Sequence, residues 1–117
     1  MQMCRFFIWM FLSVASVPVA SAADALAGKA IFDKVCAYCH AVDGSEKIGP
    51  SLAGIGERRD AAWLHSWLMN PNEMIKNDVN AKLVRGNSKY NMTMPAIPLM
   101  KDEAKRADVI AYLLENF

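Results

Sequence analysis

Beyond Asp24, apolar positions recur at helical spacing, whereas the stretch before it is apolar on every side. Leu26, Ala27, Ala30, Ile31 and Val35 share one face, which predicts a helix from about Asp24 to Cys36. Asp60 reads as an N-cap for a helix over Ala61 to Met69, stopped by Asn70-Pro71. A shorter helix is expected from Asp78 to Arg85, ending at Gly86. From Asn87 to Met100 the helical pattern is absent and two prolines intervene. A last helix should run from Asp102 to Glu115 with Ala107, Ile110, Ala111 and Leu114 as its inner stripe. No alternating strand pattern of convincing length and no internal repeat occur, so the expected fold is all-α.

Composition sharpens the reading of the first segment. Of the first 22 residues 16 are apolar, leaving 47 of the remaining 95, an ordinary globular proportion. Arg5, the apolar run from Phe6 to Ala15, and Ala20, Ser21 and Ala22 after Pro18 form the three parts of an export signal. The expected division is a cleavable leader over 1–22 and one domain over 23–117, exported to the periplasm. The alternative is an uncleaved membrane anchor, because Phe6 to Ala23 gives 18 residues without a charge. A lipoprotein fits less well, since Cys4 precedes the apolar run.

The whole chain carries 13 Lys or Arg against 12 Asp or Glu, and loss of Arg5 would leave 12 of each. Such a balance excludes the basic footprint of a nucleic-acid binder. Length allows a single small domain.

Two cysteines remain after the leader, in Cys36-Ala37-Tyr38-Cys39-His40. Cys-x-x-Cys-His is the attachment signature of c-type haem. Thiols three apart on a helical turn lie on one face and can reach two vinyl groups of one porphyrin, while the adjacent His40 can turn a ring nitrogen onto the iron. A thioredoxin-like dithiol would want a βαβ framework, and a structural zinc site four ligands where only His65 is left besides these three. A local disulfide is the remaining alternative.

With that motif near the start of the mature chain, residues 24–117 resemble a class I c-type cytochrome; the c-prime type carries it near the C-terminus. Gly49-Pro50-Ser51-Leu52, nine residues past His40, is similar to the family's Gly-Pro-x-Leu segment. The resemblance implies that the Pro50 carbonyl accepts the second ring N–H of His40 and that Leu52 packs on the ring. It also implies that Gly28 and Phe32 meet the C-terminal helix at a close crossing, with Tyr112 as aromatic partner.

For a sixth iron ligand the mature chain offers Met69, Met74, Met92, Met94, Met100 and His65. Met94 fits best. Pro95 biases it towards extended backbone, Pro98 stiffens the same loop, and the family's axial methionine commonly stands at such a Met-Pro shortly before the last helix. Met92 is the alternative, because residues two apart in extended chain point the same way. Met69 and Met74 are expected to fill core gaps, Met100 to pack, and His65, between Trp63 and Trp67, to be a surface or packing histidine. Arg58 is a candidate for binding a haem propionate, eight residues after Pro50 where many relatives keep such an arginine. Trp63 is either a second propionate donor or a core residue.

Iron with histidine and methionine ligands has both axial positions filled, which leaves one-electron transfer rather than enzymatic turnover. The expected role is an exported monohaem carrier meeting a redox donor and a redox acceptor, with possible peripheral contact to a membrane complex and with no nucleic acid or small-molecule substrate. Two alternatives are a haem subunit held permanently by an oxidoreductase, docked through the tryptophan-rich Ala61 to Pro71, and a gas-binding sensor in which Met94 leaves.

Overall fold

The computed structural model describes Ser16 and residues 22–117, so the expected leader, apart from Ser16 and Ala22, lies outside the described residues. Those residues form helices joined by loops, with no strand among them. Asp24 caps α1 (Ala25–Lys34) by accepting the N–H groups of Leu26 and Ala27. The helix ends before the cysteine motif, which a 3-10 turn, Cys36–Tyr38, carries instead.

Gly54, at φ +70°, turns the chain into the short α2 (Ile55–Arg58), an element too brief to leave a periodic signal. Asp60 caps α3 (Ala61–Met69) as expected, accepting Trp63 N–H at 2.8 Å. Asn70 closes α3 and also opens α4 (Pro71–Asn77), a helix the pattern did not suggest. Pro71 stops one helix yet suits the first position of the next, where its missing N–H costs nothing and Asn70 accepts from Glu73 N–H. Asp78 then caps α5 (Val79–Gly86). The loop that follows ends in a second 3-10 turn, Pro98–Lys101, before α6 (Glu103–Asn116), capped by Asp102.

Packing is organised by the crossing of α1 and α6. A Cβ at Gly28 would fall 1.9 Å from the Asp108 carbonyl oxygen, so the two backbones meet with no side chain between them. Beside that point Phe32 and Tyr112 pack with ring centroids 5.4 Å apart and planes tilted by 56°. Asp108 also accepts the N–H of Asp24 at 2.7 Å, tying the start of α1 to the middle of α6.

The inner stripe of α6 differs from the expected one. Arg106, Val109, Ile110, Tyr112 and Leu113 are buried, Ala107 and Ala111 are half-buried, and Leu114 is exposed. Ile110 is inward as expected, while Arg106 takes an inner position beside it, its guanidinium bonded to protein acceptors. Met69 is a second correction: at 46% exposure it fills no core gap. Met100, by contrast, is fully buried, and Met74 packs half-buried against the core.

Gly28→Ala should destabilise the folded protein by about 2–3 kcal/mol, since backbone on both sides of the contact leaves nothing flexible to yield. Denaturant unfolding of the haem-loaded protein checks this; an unchanged midpoint would contradict the close crossing.

Candidate functional site

A cavity of about 660 Å³ opens between the cysteine motif, α3 and the loop after α5. Its size suits a cofactor. Cys36, Cys39 and His40 stand on one part of its wall, Pro50 and Leu52 beside them, and Met92 and Met94 on the loop; Leu64, Trp67, Val109 and Leu113 bring core surface to it.

The motif is held by short backbone bonds. Cys39 and His40 donate their N–H groups to the Cys36 carbonyl at 3.1 and 2.9 Å, Gly49 N–H donates to the Cys39 carbonyl at 2.7 Å, and Lys47 Nζ donates to the Ala37 carbonyl at 2.7 Å. These contacts fold residues 43–49 back over the motif. Gly49 then lies against the imidazole, where a Cβ would sit 2.5 Å from His40 Cε1.

His40 Nδ1 stands 2.8 Å from the Pro50 carbonyl oxygen. A carbonyl can only accept, so Nδ1 carries the proton and Nε2 keeps its lone pair. Leu52 N–H donates to the Ala41 carbonyl at 2.9 Å, which keeps the 50–52 segment beside the ring.

Cys36 and Cys39 form no disulfide with each other, and burial, with a smaller contribution from neighbouring Cys39, pushes the Cys36 thiol up to about 11. A catalytic dithiol needs the opposite shift, towards a thiolate at neutral pH. No group of three or more His, Cys, Asp or Glu side chains among the described residues is arranged for a bare metal ion. Two thiols, one lone-pair nitrogen and a thioether on one apolar cavity therefore suit a ligand that brings its own metal and its own equatorial donors. Haem has that chemistry, and the cavity's residues fit it.

Met94 is half-buried on the cavity wall and packs against the core, whereas Met92, on the same wall, is 53% exposed. Met69, Met74, Met100 and His65 do not reach the cavity.

Arg58 reaches the wall, but donates from Nη1 to the Ala53 carbonyl at 2.6 Å and from Nη2 to the Ser51 carbonyl at 3.4 Å, leaving other guanidinium donors unspent. Trp63 answers neither expectation alone. Its indole N–H donates to Asp78 Oδ1 at 3.2 Å, and its ring stacks on Trp67 with centroids 5.3 Å apart.

Arg59 lies over the Trp63 ring, 4.8 Å from its centroid. One wall residue to which the sequence pattern does not point is Arg85, whose Nε donates to Thr93 Oγ1 at 3.2 Å beside Met94. Trp67 was discoverable, being one turn after Trp63 on the same helical face. Arg85 was not, because its place depends on how the loop folds back.

The cytochrome c family model matches residues 25–116. The chain belongs to the cytochrome c family. It is 34% identical over 97 residues to a cytochrome c of Tetrahymena pyriformis, covering 77% of this chain and 86% of that protein. A cytochrome c2 of Rhodopila globiformis is 32% identical over 102 residues, covering 77% and 91%. Among solved structures, a cytochrome c from Rhodothermus marinus superposes with a TM-score of 0.69 at 28% identity, covering 80% of this chain and 78% of that one. The cytochrome's cofactor is accordingly one covalently attached haem c with its iron.

Two outcomes follow for this cytochrome. Gly49→Ala should press on the imidazole and destabilise the holoprotein by about 1–3 kcal/mol, with a high-spin component in its ferric absorption spectrum; a wild-type spectrum would contradict the contact. The second concerns Asp78. The Ala81 N–H and then the Trp63 indole N–H hold its carboxyl below the usual carboxylate range. A depressed value stabilises the fold above the ordinary carboxylate range and is lost as pH falls through the folded-state value. Thermal melts should therefore show Asp78→Asn losing less stability than wild type on acidification, and parallel losses would refute this.

Proposed function

We propose that this cytochrome is an exported one-electron carrier, working in the periplasm between a redox donor and a redox acceptor of a respiratory chain, and that it is not an enzyme. Membership of the family makes it a monohaem electron carrier. The carrier reading, without turnover of a substrate, rests on one observation: His40 and the half-buried Met94 share a cavity wall with Cys36 and Cys39.

When bound, haem supplies a one-electron ferric–ferrous couple. Cys36 and Cys39 tether it through thioethers. His40 presents Nε2 to the iron, its tautomer and ring plane set by the Pro50 carbonyl and by the Gly49 backbone. Met94 supplies the sixth ligand; a thioether favours the ferrous state and raises the potential relative to two imidazoles. Leu52 covers the ring, and Arg58 offers its unspent donors to a propionate. With His40 and Met94 both holding the iron, a substrate would find no open coordination site.

Export rests on the leader over 1–22, with its basic start and small-residue cleavage site. If it stays uncut, the same domain works tethered to the membrane, with the partners unchanged. No helix among the described residues is long and apolar enough to cross a membrane. The permanently bound subunit loses its main support, because Trp63 and Trp67 face the haem cavity rather than a docking surface.

Met94→Ala should abolish the long-wavelength charge-transfer band of methionine-ligated ferric haem, lower the reduction potential by on the order of 0.1 V or more, and open the ferrous iron to carbon monoxide. Met92→Ala should leave all three unchanged. A redox titration with absorption spectra measures the difference, and the reverse pattern would move the ligand to Met92.

A further inference from the structure

One polar cluster in the core stands outside the cavity. Arg106 is 7% exposed. Its Nη1 donates to the Met100 carbonyl at 2.7 Å, and its Nε donates to His65 Nδ1 at 3.2 Å. Among the described residues the ion pairs are Lys29–Asp33 and Lys76–Glu73, so this buried cation has neutral acceptors and no carboxylate. Removing one acceptor from a buried charge leaves it uncompensated, and the surrounding structure must move.

Both acceptors belong to different elements. His65 sits on α3, whereas Met100 ends the loop that carries Met94. That loop is fastened on one side by Arg85 to Thr93 and on the other by Arg106 to Met100. Arg106 thereby fixes the far end of the segment that must present Met94.

His65 can accept from Arg106 only while Nδ1 is unprotonated. A proton there would turn the acceptor into a donor facing a donor and set imidazolium against guanidinium. Other ionisable groups on the packed elements are otherwise engaged or exposed. On α3 the Asp60 carboxylate caps Trp63, and Lys101 of the 98–101 turn is exposed. On α6, Asp102 caps Lys105 and Asp108 accepts from Asp24, while Glu103 and Lys105 are exposed. From α1, Lys29 and Asp33 pair with each other and Lys34 is exposed; from α2, Glu57 is exposed and Arg58 binds backbone carbonyls; from α4, Glu73 and Lys76 pair with each other.

We propose that His65 and Arg106 form a proton-sensitive positioning pair for Met94: neutral His65 holds Arg106 on the Met100 carbonyl, and acidification releases that end of the loop and the methionine with it. The proposal rests on the reading of Met94 as the sixth ligand. Iron ligation thus becomes pH-dependent through a residue that never touches the haem.

The test follows the charge-transfer band of the ferric holoprotein, together with far-ultraviolet circular dichroism, from neutral pH downwards. Wild type should lose the band in a one-proton step while its helix signal persists. His65→Gln keeps an oxygen acceptor but cannot take the proton, and should hold the band to about tenfold higher proton concentration. Arg106→Lys keeps the charge without the fork and should exchange Met94 for added imidazole several-fold faster at neutral pH. Equal midpoints for wild type and His65→Gln would overturn the pair. Should either variant fail to fold, a wild type that keeps its band until the helix signal is lost also overturns it. A band missing from wild type at neutral pH is a different result, which would overturn the Met94 reading and this proposal together.

Discussion

The contact between Gly28 and the backbone of Asp108 is the constraint on which the rest of the molecule depends. Two helices that touch backbone to backbone can bury Phe32 against Tyr112 and set Val109 and Leu113 at the back of the haem cavity. Because the 3-10 turn with the cysteine motif follows directly on the end of α1, the crossing also decides where Cys36, Cys39 and His40 stand relative to that wall. A larger residue at one position would therefore move both the tether and its binding surface.

Around this frame, glycine and proline do for the imidazole what the crossing does for the helices. Gly49 lets the main chain lie against His40, and Pro50, held rigid next to it, offers a carbonyl at hydrogen-bond distance. Hydrogen-bond direction then leaves a lone pair on Nε2 without any charged partner. The cavity needs little further polarity, and Arg58, Arg59 and Arg85 are confined to its wall, where propionates would meet them.

Much of this was legible in the chain because its signals are local. Asp60 and Asn70 bracket α3, the one accepting from Trp63 N–H three residues on and the other donating its backbone N–H to Ser66 four residues back, and Cys36-Ala37-Tyr38-Cys39-His40 announces its chemistry by spacing alone. What escaped is non-local. The inward place of Arg106 leaves no periodic signal, since a charged residue does not mark an apolar stripe and one of its acceptors, His65, lies 41 residues away. The pattern therefore predicts Ala107 and Leu114 inward where the structure buries Arg106 and Leu113. Trp63 finds Asp78 only after α4 has turned the chain, and α4 was hidden because Asn70-Pro71 reads equally as an end and as a beginning.

The separation of α1 and α6 along the sequence, at the two ends of the domain's chain, bears on how it folds. The bond from Asp24 to Asp108 joins residues 84 apart, and closing a loop of that length costs about 4 kcal/mol of chain entropy before any constant term. Between them lie α2 to α5, none longer than nine residues and too short to persist alone in water. Those short helices therefore take their order from packing on the α1–α6 crossing and on the haem tethered beside the first helix.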